Sequence, residues 1–290
     1  MEQKHAYLIM AHGEWALLSK LLQMLDDPRN DIYIHIDIKA DFNQNKIYQP
    51  TRAGCRYVPR MDVAWGGDSL VKCELGLMEA AAPGHYAYYH LLSGVDLPLR
   101  SQDEIHSFFA EHYGTNYIKI DHAAVDSGSA LNRVRYYRWF QNKTGRKTGI
   151  YVRFLNFIEH ISLYIQRCLH MDRLRYCPKK IYKGSNWFSI TDEMMQTILA
   201  QKPFIKKYFY HSLAPDELFV QTVAMNSELK DTIADEYLRY IDWERGAPYT
   251  FRSEDFEELM NSNAYFARKF SDQVDADISN RIFQEVTKHG

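Results

Sequence analysis

Short apolar runs alternate along the chain with segments in which apolar residues recur at helical spacing. Residues 6–10 and 32–36 are two such runs. Between them the apolar positions repeat every three or four residues, at Trp15, Leu18, Leu21, Leu22 and Leu25. This pattern predicts a strand, a helix and a second strand.

The pattern repeats further along the chain. A second helix is predicted from Asp68, as its N-cap, to a stop at Pro83-Gly84. The aromatic run 86–92 and the run Asn116–Ile120 are predicted strands. Strands that alternate with helices predict an α/β fold with a mostly parallel central sheet and helices on both faces. A ligand would bind such a sheet at the carboxyl ends of its strands.

Polar residues stand where three of these strands end. His12 follows the first strand, His35 and Asp37 end the second, and a turn with Gly94 and Asp96 follows the aromatic one. Buried polar groups need partners, and the ribose and base of a nucleotide can supply them. The alternative is that the histidines are satisfied core residues and that 94–96 is only a turn. Three such ends together favour a ligand site.

The segment Pro215-Asp216-Glu217 is the strongest candidate for catalytic chemistry. Proline is tolerated in the first turn of a helix, which predicts a helix start here. The apolar residues of that helix then fall on one face, at Leu218, Phe219, Thr222 and Val223. Acidic residues in a first turn also complement the helix dipole, and this simpler interpretation is favoured for the segment taken alone.

Length, charge, cysteine content and the absence of certain motifs exclude several classes of protein. A chain of 290 residues with 46% hydrophobic content can bury a large core in one domain, and its net charge of -2 disfavours nucleic acid as a partner. Four dispersed cysteines indicate neither a zinc site nor disulfides, and no run is long enough to span a membrane. Walker, Gly-x-Gly-x-x-Gly and Gly-x-Ser-x-Gly motifs do not occur.

The chain also offers few carboxylates for a metal-bound diphosphate. The one Asp-x-Asp pair, Asp275-Ala276-Asp277, lies in the polar C-terminal segment, where we interpret it as a solvated helix face. A diphosphate leaving group would then need Lys or Arg to neutralise its charge. Arg239, Arg252 and the pair Arg268-Lys269 are available for this, although by spacing alone each is an ordinary surface charge.

Seven segments, in order and spanning nearly the whole chain, resemble the core-2/I-branching N-acetylglucosaminyltransferase family, which also contains the peptide O-xylosyltransferases. They are Tyr33-Ile34-His35-Ile36-Asp37, Val63-Ala64-Trp65-Gly66-Gly67, Leu92-Ser93-Gly94-Val95-Asp96-Leu97-Pro98-Leu99, Lys183-Gly184-Ser185-Asn186-Trp187-Phe188, Ala214-Pro215-Asp216-Glu217, Tyr240-Ile241-Asp242-Trp243 and Phe266-Ala267-Arg268-Lys269-Phe270. The resemblance implies a single GT-A-type glycosyltransferase domain over residues 1–290. Its parts would be a nucleotide-sugar-binding half (1–125), a basic helical insertion (126–182) and a catalytic and acceptor half (183–290).

The resemblance also implies an inverting reaction without a divalent metal or other cofactor. Glu217 would be the catalytic base, and Lys269 would contact the diphosphate of the donor. The second diphosphate-binding residue would be Arg252, with Arg239 as the alternative. The donor would be a UDP-sugar, with GlcNAc or xylose as the transferred sugar.

Further residues complete the expected site. By position, His12, Asp37, Gly94 and Asp96 would line the donor pocket. The residues expected beside the acceptor are Trp243, Asp216, Arg133 and Trp187. Trp243 matches a family tryptophan that packs on the acceptor sugar, and a core position is its alternative. Asp216 alternatively supports the start of the helix.

Without the signal anchor, stem and disulfides of the animal enzymes, the chain resembles a bacterial, cytoplasmic member. Its acceptor would be a glycan or a lipid-linked oligosaccharide in surface polysaccharide synthesis. A binding protein that kept the fold but lost catalysis is the alternative, because fold alone does not determine function.

A basic, aromatic segment precedes an apolar helix predicted over 151–169. Its cations and rings are Arg133, Arg135, Arg138, Lys143, Arg146, Lys147 and Arg153, with Tyr136, Tyr137, Trp139 and Phe140 among them. Such a patch could rest on the anionic inner face of a membrane. An ordinary helix packed on the catalytic domain, after a basic surface loop, is the favoured alternative.

Overall fold

A computed structural model describes residues 4–288 of the chain. The strands are β1 His5–Ala11, β2 Asn30–Ile36, β3 Gly54–Tyr57, β4 Tyr88–Ser93, β5 Leu97–Pro98, β6 Asn116–Ile120, β7 Gly184–Thr191, β8 Ile233–Ala234, β9 Arg239–Ile241 and β10 Phe266–Arg268. The helices are α1 Trp15–Met24, α2 Asp68–Ala81, α3 Gln102–Glu111, α4 His122–Asp126, α5 Ser129–Val134, α6 Gln141–Thr144, α7 Ile150–Cys168, α8 Asp192–Ala200, α9 Lys202–Phe209, α10 Phe219–Met225, α11 Phe256–Met260 and α12 Ala276–Thr287.

The strands form one large sheet and one small sheet. The large sheet has seven strands in the order β3-β2-β1-β4-β7-β6-β8, and the small one has the order β5-β10-β9. In the large sheet β7 runs antiparallel to both of its neighbours, β4 and β6, whereas the other pairings are parallel. The predicted mostly parallel α/β sheet is therefore confirmed.

Each face of the large sheet is covered by its own hydrophobic cluster. Along β1, Ala6 and Leu8 point into a cluster with α2, while Tyr7 and Ile9 point into a cluster with α1. Alternate residues of a strand point to opposite faces, so a strand covered on both sides is apolar throughout. This explains why residues 6–10 form an uninterrupted apolar run.

The predicted elements agree with the structure at most positions. β6 has the predicted bounds, and α1, β1, β2 and β4 overlap their predictions closely. α2 begins one position differently from expectation, because Gly67 is its N-cap and Asp68 its first residue. The insertion helix is present as α7, and one side of it packs on the domain through Val152, Leu155 and Leu163.

The predicted helix start at Pro215 is wrong in detail. Pro215–Glu217 forms a single 3-10 turn, closed by the Leu218 N–H donating to the Pro215 carbonyl, and α10 begins only at Phe219. Glu217 therefore lies in a tight turn before the α-helix rather than in its first turn.

The four cysteines, Cys55, Cys73, Cys168 and Cys177, are free thiols. Within residues 4–288, no helix is both long and apolar enough to cross a membrane.

Candidate active site

The predicted strand ends meet at one edge of the large sheet. β1, β2 and β4 are parallel and end there, and the antiparallel β7 begins there. At this edge Gly184, the first residue of β7, pairs with Ile120, the last residue of β6. A Cβ on Gly184 would lie 1.7 Å from the carbonyl oxygen of Lys119, so only glycine fits this close approach.

Asp37, at the end of β2, is held in a network of donors. Its carboxylate accepts from the backbone N–H and the ammonium of Lys39, at 2.9 and 2.8 Å. Burial opposes ionisation of Asp37, but these hydrogen bonds lower its pKa. His12 is exposed at the end of β1. His35 is a satisfied core histidine, since its Nε2 accepts from the backbone N–H of Met61 at 3.0 Å.

The turn after β4 anchors an arginine from β10. Asp96 accepts from the backbone N–H of Ser93 at 2.8 Å, from its hydroxyl at 2.6 Å, and from Nη1 of Arg268 at 2.9 Å. The Arg268 guanidinium lies 4.5 Å from the centre of the Trp187 ring. Asp96 and Trp187 are both buried, so they position Arg268 rather than present their own surfaces at the edge.

The same turn brings Lys269 to the site. A Cβ on Gly94 would lie 2.8 Å from the Cβ of Ala11 in β1, so a glycine lets the turn approach β1 closely. The next residue, Val95, accepts from the Phe270 N–H at 3.0 Å, which places Lys269 beside the turn. Within the described part of the chain, the half-buried Lys269 ammonium has no hydrogen-bond or ion-pair partner.

The two other candidate arginines occupy different surroundings. Arg239 is buried, and its guanidinium donates to the carbonyl oxygens of Leu91 and Phe188 and to the hydroxyl of Ser189. Burial lowers the pKa of Arg239 to about 9. Arg252 is exposed at the start of a 3-10 turn. The structure therefore places Arg239 in the interior and leaves Arg252 accessible to an anion.

Glu217 presents a partly exposed carboxylate. Its side chain is 35% exposed, and Oε2 accepts from Nη1 of Arg133 at 2.6 Å. Ala214, two residues before Asp216, has a left-handed backbone with φ of 44°, which costs energy for any residue with a Cβ. This conformation turns the chain sharply into Pro215, and the turn packs against β7.

Asp216 points into the interior, unlike its neighbour. It is buried, and burial, together with the charge of Glu217, raises its pKa to about 7. Glu74 of α2 is also buried, and burial and the charge of Asp216 raise its pKa well above the usual range. Among the described residues, neither oxygen of Glu74 has a hydrogen-bond partner. The structure thus buries two carboxyl groups, those of Asp216 and Glu74, behind the turn 215–217.

The turn is connected to the insertion by a buried aspartate. Asp68 accepts from the backbone N–H of His211 at 3.0 Å, from Lys72 at 3.0 Å and from the Asn142 amide. The Ala214 N–H donates to the Gly66 carbonyl at 2.7 Å. Residues of α2, α6 and the loop before Pro215 are therefore held together within a few hydrogen bonds of Glu217.

Two tryptophans in the motif segments are exposed. Trp65 precedes Gly66, is 52% exposed, and lies 4.4 Å under the guanidinium of Arg146 from the insertion. Trp243 is 61% exposed after β9, so it is a surface residue and not a core tryptophan. Both rings are open to a sugar.

The acidic and histidine side chains of the described residues are dispersed. Across 4–288 there is no group of three or more His, Cys, Asp or Glu side chains placed to hold a metal ion. Asp275 is an N-cap, since its Oδ1 accepts from the N–H groups of Asp277 and Ile278 at the start of α12. Two surface cavities of about 310 and 230 Å³ are lined by other residues than Glu217 and Lys269.

Three features of this site were not predicted from the sequence. Arg268 was grouped with Lys269, but its pairing with Asp96 depends on contacts between distant segments. Arg133 was expected beside the acceptor, whereas the structure pairs it with Glu217. The buried Glu74 gave one weak signal, because it is an acidic residue on the apolar face of a predicted helix.

Comparison with known proteins agrees with this geometry. The model of the family described as "Core-2/I-Branching enzyme" matches residues 5–262. The chain is 26% identical to xylosyltransferase 2 of Homo sapiens, in an alignment that covers 94% of this chain and 32% of the relative. It is 24% identical to xylosyltransferase 1 of Homo sapiens, with 96% and 30% covered. This chain therefore spans about a third of the length of the curated relatives it matches. Because the family match extends over most of the chain, the protein belongs to the Core-2/I-Branching enzyme family.

Proposed function

We propose that this protein is a glycosyltransferase that moves a sugar from a UDP-sugar to a hydroxyl group of an acceptor, with inversion and without a divalent metal. The observation that carries the proposal is that two kinds of group lie beside neighbouring strands of the large sheet: the turn with Glu217 packs against β7, and Lys269 lies beside the turn after β4. Glu217 presents a partly exposed carboxylate, and Lys269 presents an ammonium with no partner among residues 4–288. Family membership supports the same activity.

The proposed reaction is a single displacement. The Glu217 carboxylate takes the proton of the acceptor hydroxyl while the oxygen of that hydroxyl forms a bond to the anomeric carbon. The bond from that carbon to the diphosphate breaks on the opposite face, and UDP leaves with the electron pair. Lys269 and Arg252 neutralise the charge that develops on the diphosphate. Arg133 holds the Glu217 carboxylate in one orientation through its 2.6 Å contact.

The strand ends and the related proteins suggest which donors and acceptors to test. His12 and Asp37 stand at the strand ends where a nucleotide binds in this kind of sheet. The curated relatives are named xylosyltransferases, and the family name refers to branching enzymes, so UDP-xylose and UDP-GlcNAc are the first donors to test. Trp65 and Trp243 have exposed aromatic rings on which an acceptor sugar can pack. We propose that the acceptor is a glycan, and that the reaction belongs to the cytoplasmic synthesis of a bacterial surface polysaccharide.

Glu217→Gln tests the proposed base. The substitution keeps the shape of the side chain but removes the proton acceptor, so we expect the rate of transfer to fall by about 10²–10⁴-fold. Binding of UDP should remain within about threefold of the native value, because Glu217 contacts the acceptor and not the diphosphate. Asp126→Asn, an exposed acid in α4, is the matched control for charge and should leave both quantities unchanged.

Transfer by Glu217→Gln at the native rate would show that another group is the base. Binding of UDP-sugars without any turnover by the native protein, across a panel of sugar acceptors, would instead favour a carbohydrate-binding protein of the same fold.

A further inference from the structure

The helix α7 is amphipathic in an unusual sense, because its solvent-facing side is the more apolar one. The residues that pack on the domain include two polar side chains, Glu159 and Gln166. The opposite side carries a row of large apolar residues at helical spacing, with exposed fractions from 42% to 89%. This row, the apolar stripe, consists of Ile150, Phe154, Phe157, Ile161, Tyr164 and Ile165.

The stripe cannot be explained by packing within the described chain. The polar residues on the buried side instead bond the segment 137–140: Glu159 Oε2 accepts from the backbone N–H groups of Trp139 and Phe140, and Gln166 bonds both backbone groups of Tyr137. These bonds fix which side of α7 faces the domain. The apolar stripe is therefore held outward, and a row of this size on a protein surface marks an interaction site.

The charges around the stripe are strongly one-sided. Residues 143–180 contain nine lysines and arginines but only two carboxylates, in a chain whose net charge is -2. Both carboxylates are engaged, Glu159 with backbone donors and Asp172 with Arg135 at 3.5 Å. Seven of the cations are exposed and form no ion pair within residues 4–288, namely Lys143, Arg146, Lys147, Arg153, Arg167, Arg175 and Lys180.

The position of these cations matches a flat anionic surface. Arg153, His160 and Arg167 are spaced by seven residues, so they line one edge of the stripe along the length of α7. Lys147 lies just before the helix and Arg175 after it. A second copy of the chain would bring like charges together across a two-fold axis, whereas anionic lipid headgroups would meet cations along the whole helix.

We propose that α7 docks on an anionic phospholipid bilayer, lying in the plane of the interface with the apolar stripe inserted and the flanking cations at the headgroups. Phe and Tyr suit this position because their rings are apolar and Tyr keeps a polar tip in the headgroup region. The absence of a membrane-crossing helix in the described residues agrees with surface docking. Docking needs no turnover, so it stands apart from the proposed transferase activity.

The fold relates this surface to the catalytic turn. The Arg138 N–H donates to the His211 carbonyl at 2.7 Å, and the Leu213 N–H donates to the Arg133 carbonyl at 3.0 Å. The insertion that carries α7 is thus bonded directly to the loop that leads to Glu217. A docked helix would hold that loop beside the bilayer surface.

Vesicle co-sedimentation of the full chain tests the proposal. We expect the protein to pellet with vesicles of phosphatidylcholine and phosphatidylglycerol, to stay in solution with phosphatidylcholine alone, and to be released by high salt. Phe154→Ser with Phe157→Ser should abolish pelleting, and Arg153→Gln with Arg167→Gln should weaken it by roughly 30-fold. These side chains are exposed, so thermal unfolding should remain close to native and should verify that the variants are folded.

Matched controls lie elsewhere on the surface. Tyr113→Ser removes an equally exposed aromatic ring, and Lys46→Gln with Arg52→Gln removes two exposed cations, and both variants should pellet like the native chain. Failure to bind anionic vesicles, or binding that survives the Phe154 and Phe157 changes, would overturn the proposal. A dimer in solution that the same double variant converts to monomer would assign the stripe to a second copy and would also overturn it.

Discussion

Arg239 and Arg252 were predicted as alternatives for one role, yet their side chains have very different surroundings. The Arg239 guanidinium fills a buried position and satisfies three acceptors from β4 and β7. Arg252 is exposed near the C-terminal helix α12. A buried cation that already satisfies carbonyl groups contributes to stability, whereas an exposed one is free to bind an anion.

Substitution should separate the two arginines. Arg239→Met is expected to lower the free energy of unfolding by about 3 kcal/mol or more, because it leaves buried acceptors without donors. Arg252→Gln should change that free energy by less than about 0.5 kcal/mol but weaken UDP binding roughly tenfold. Urea denaturation and calorimetric titration with UDP measure these quantities. If Arg252→Gln binds UDP as tightly as the native chain, Arg252 is not a diphosphate ligand.

In the proposed mechanism, Lys269 is the main residue that neutralises the diphosphate. Lys269→Ala should weaken UDP binding by about 10–100-fold and reduce turnover further, because a charge-assisted contact is lost in both the ground and transition states. Lys46→Ala, at an exposed position far from the turn 93–96, is the control. Equal UDP affinity of Lys269→Ala and the native chain would contradict the assignment.

Asp216 gives a pH dependence with a definite sign. Its pKa is raised by burial to about 7 in the folded chain, against an ordinary value of 3.8. The stability it contributes is therefore fully present below pH 3.8 and is lost as the pH rises through about 7. Asp216→Asn removes this titration. The free energy of unfolding of the native chain minus that of Asp216→Asn should fall as the pH rises from 4 to 8. If this difference does not change with pH, Asp216 is not a buried ionisable carboxyl group.

Among the elements, α2 covers the sheet and also anchors the loop that leads to Glu217. Its first residue, Asp68, accepts from the backbone N–H of His211 and from the Asn142 amide of α6. Burial opposes ionisation of Asp68, but these hydrogen bonds lower its pKa. Asp68→Ala should lower the free energy of unfolding by about 2–4 kcal/mol and reduce kcat more than it raises KM, since the loop before Glu217 loses its anchor. Lys72→Met removes only the partly exposed partner and should have a small effect. Unchanged kcat in a stable Asp68→Ala protein would contradict this link.

Some of the elements could be predicted from the sequence and others could not. Helical periodicity predicted α1, and short apolar runs predicted β1, β2 and β6, because a strand covered on both faces buries consecutive residues. It did not predict that Pro215–Glu217 is a 3-10 turn, because the local signal of proline and acids is the same for either kind of helix. Nor did it predict the reversed direction of β7, since strand direction depends on pairing with residues distant in sequence.

In the whole molecule the charges are unevenly distributed, although the net charge is only -2. Unpaired cations concentrate around α7, while elsewhere lysines such as Lys20, Lys39 and Lys183 are paired with aspartates. The balanced composition disfavours a global attraction to anions, but it does not show how the cations are distributed over the surface. For the candidate site, motifs singled out Glu217 and Lys269 and apolar runs located the strand ends, whereas the contacts of Arg268 and Arg133 depend on the folded chain.

The most direct test of the proposed activity is a donor screen in the presence of EDTA. UDP-xylose, UDP-GlcNAc, UDP-glucose and UDP-galactose would be titrated into the native chain and Glu217→Gln, with UDP as the reference and slow hydrolysis as the readout. We predict that one UDP-sugar binds both proteins equally and is hydrolysed by the native chain alone, despite the chelator. Hydrolysis that appears only when Mg²⁺ or Mn²⁺ is added would contradict the metal-independent mechanism, and no affinity for UDP with or without metal would contradict the glycosyltransferase itself.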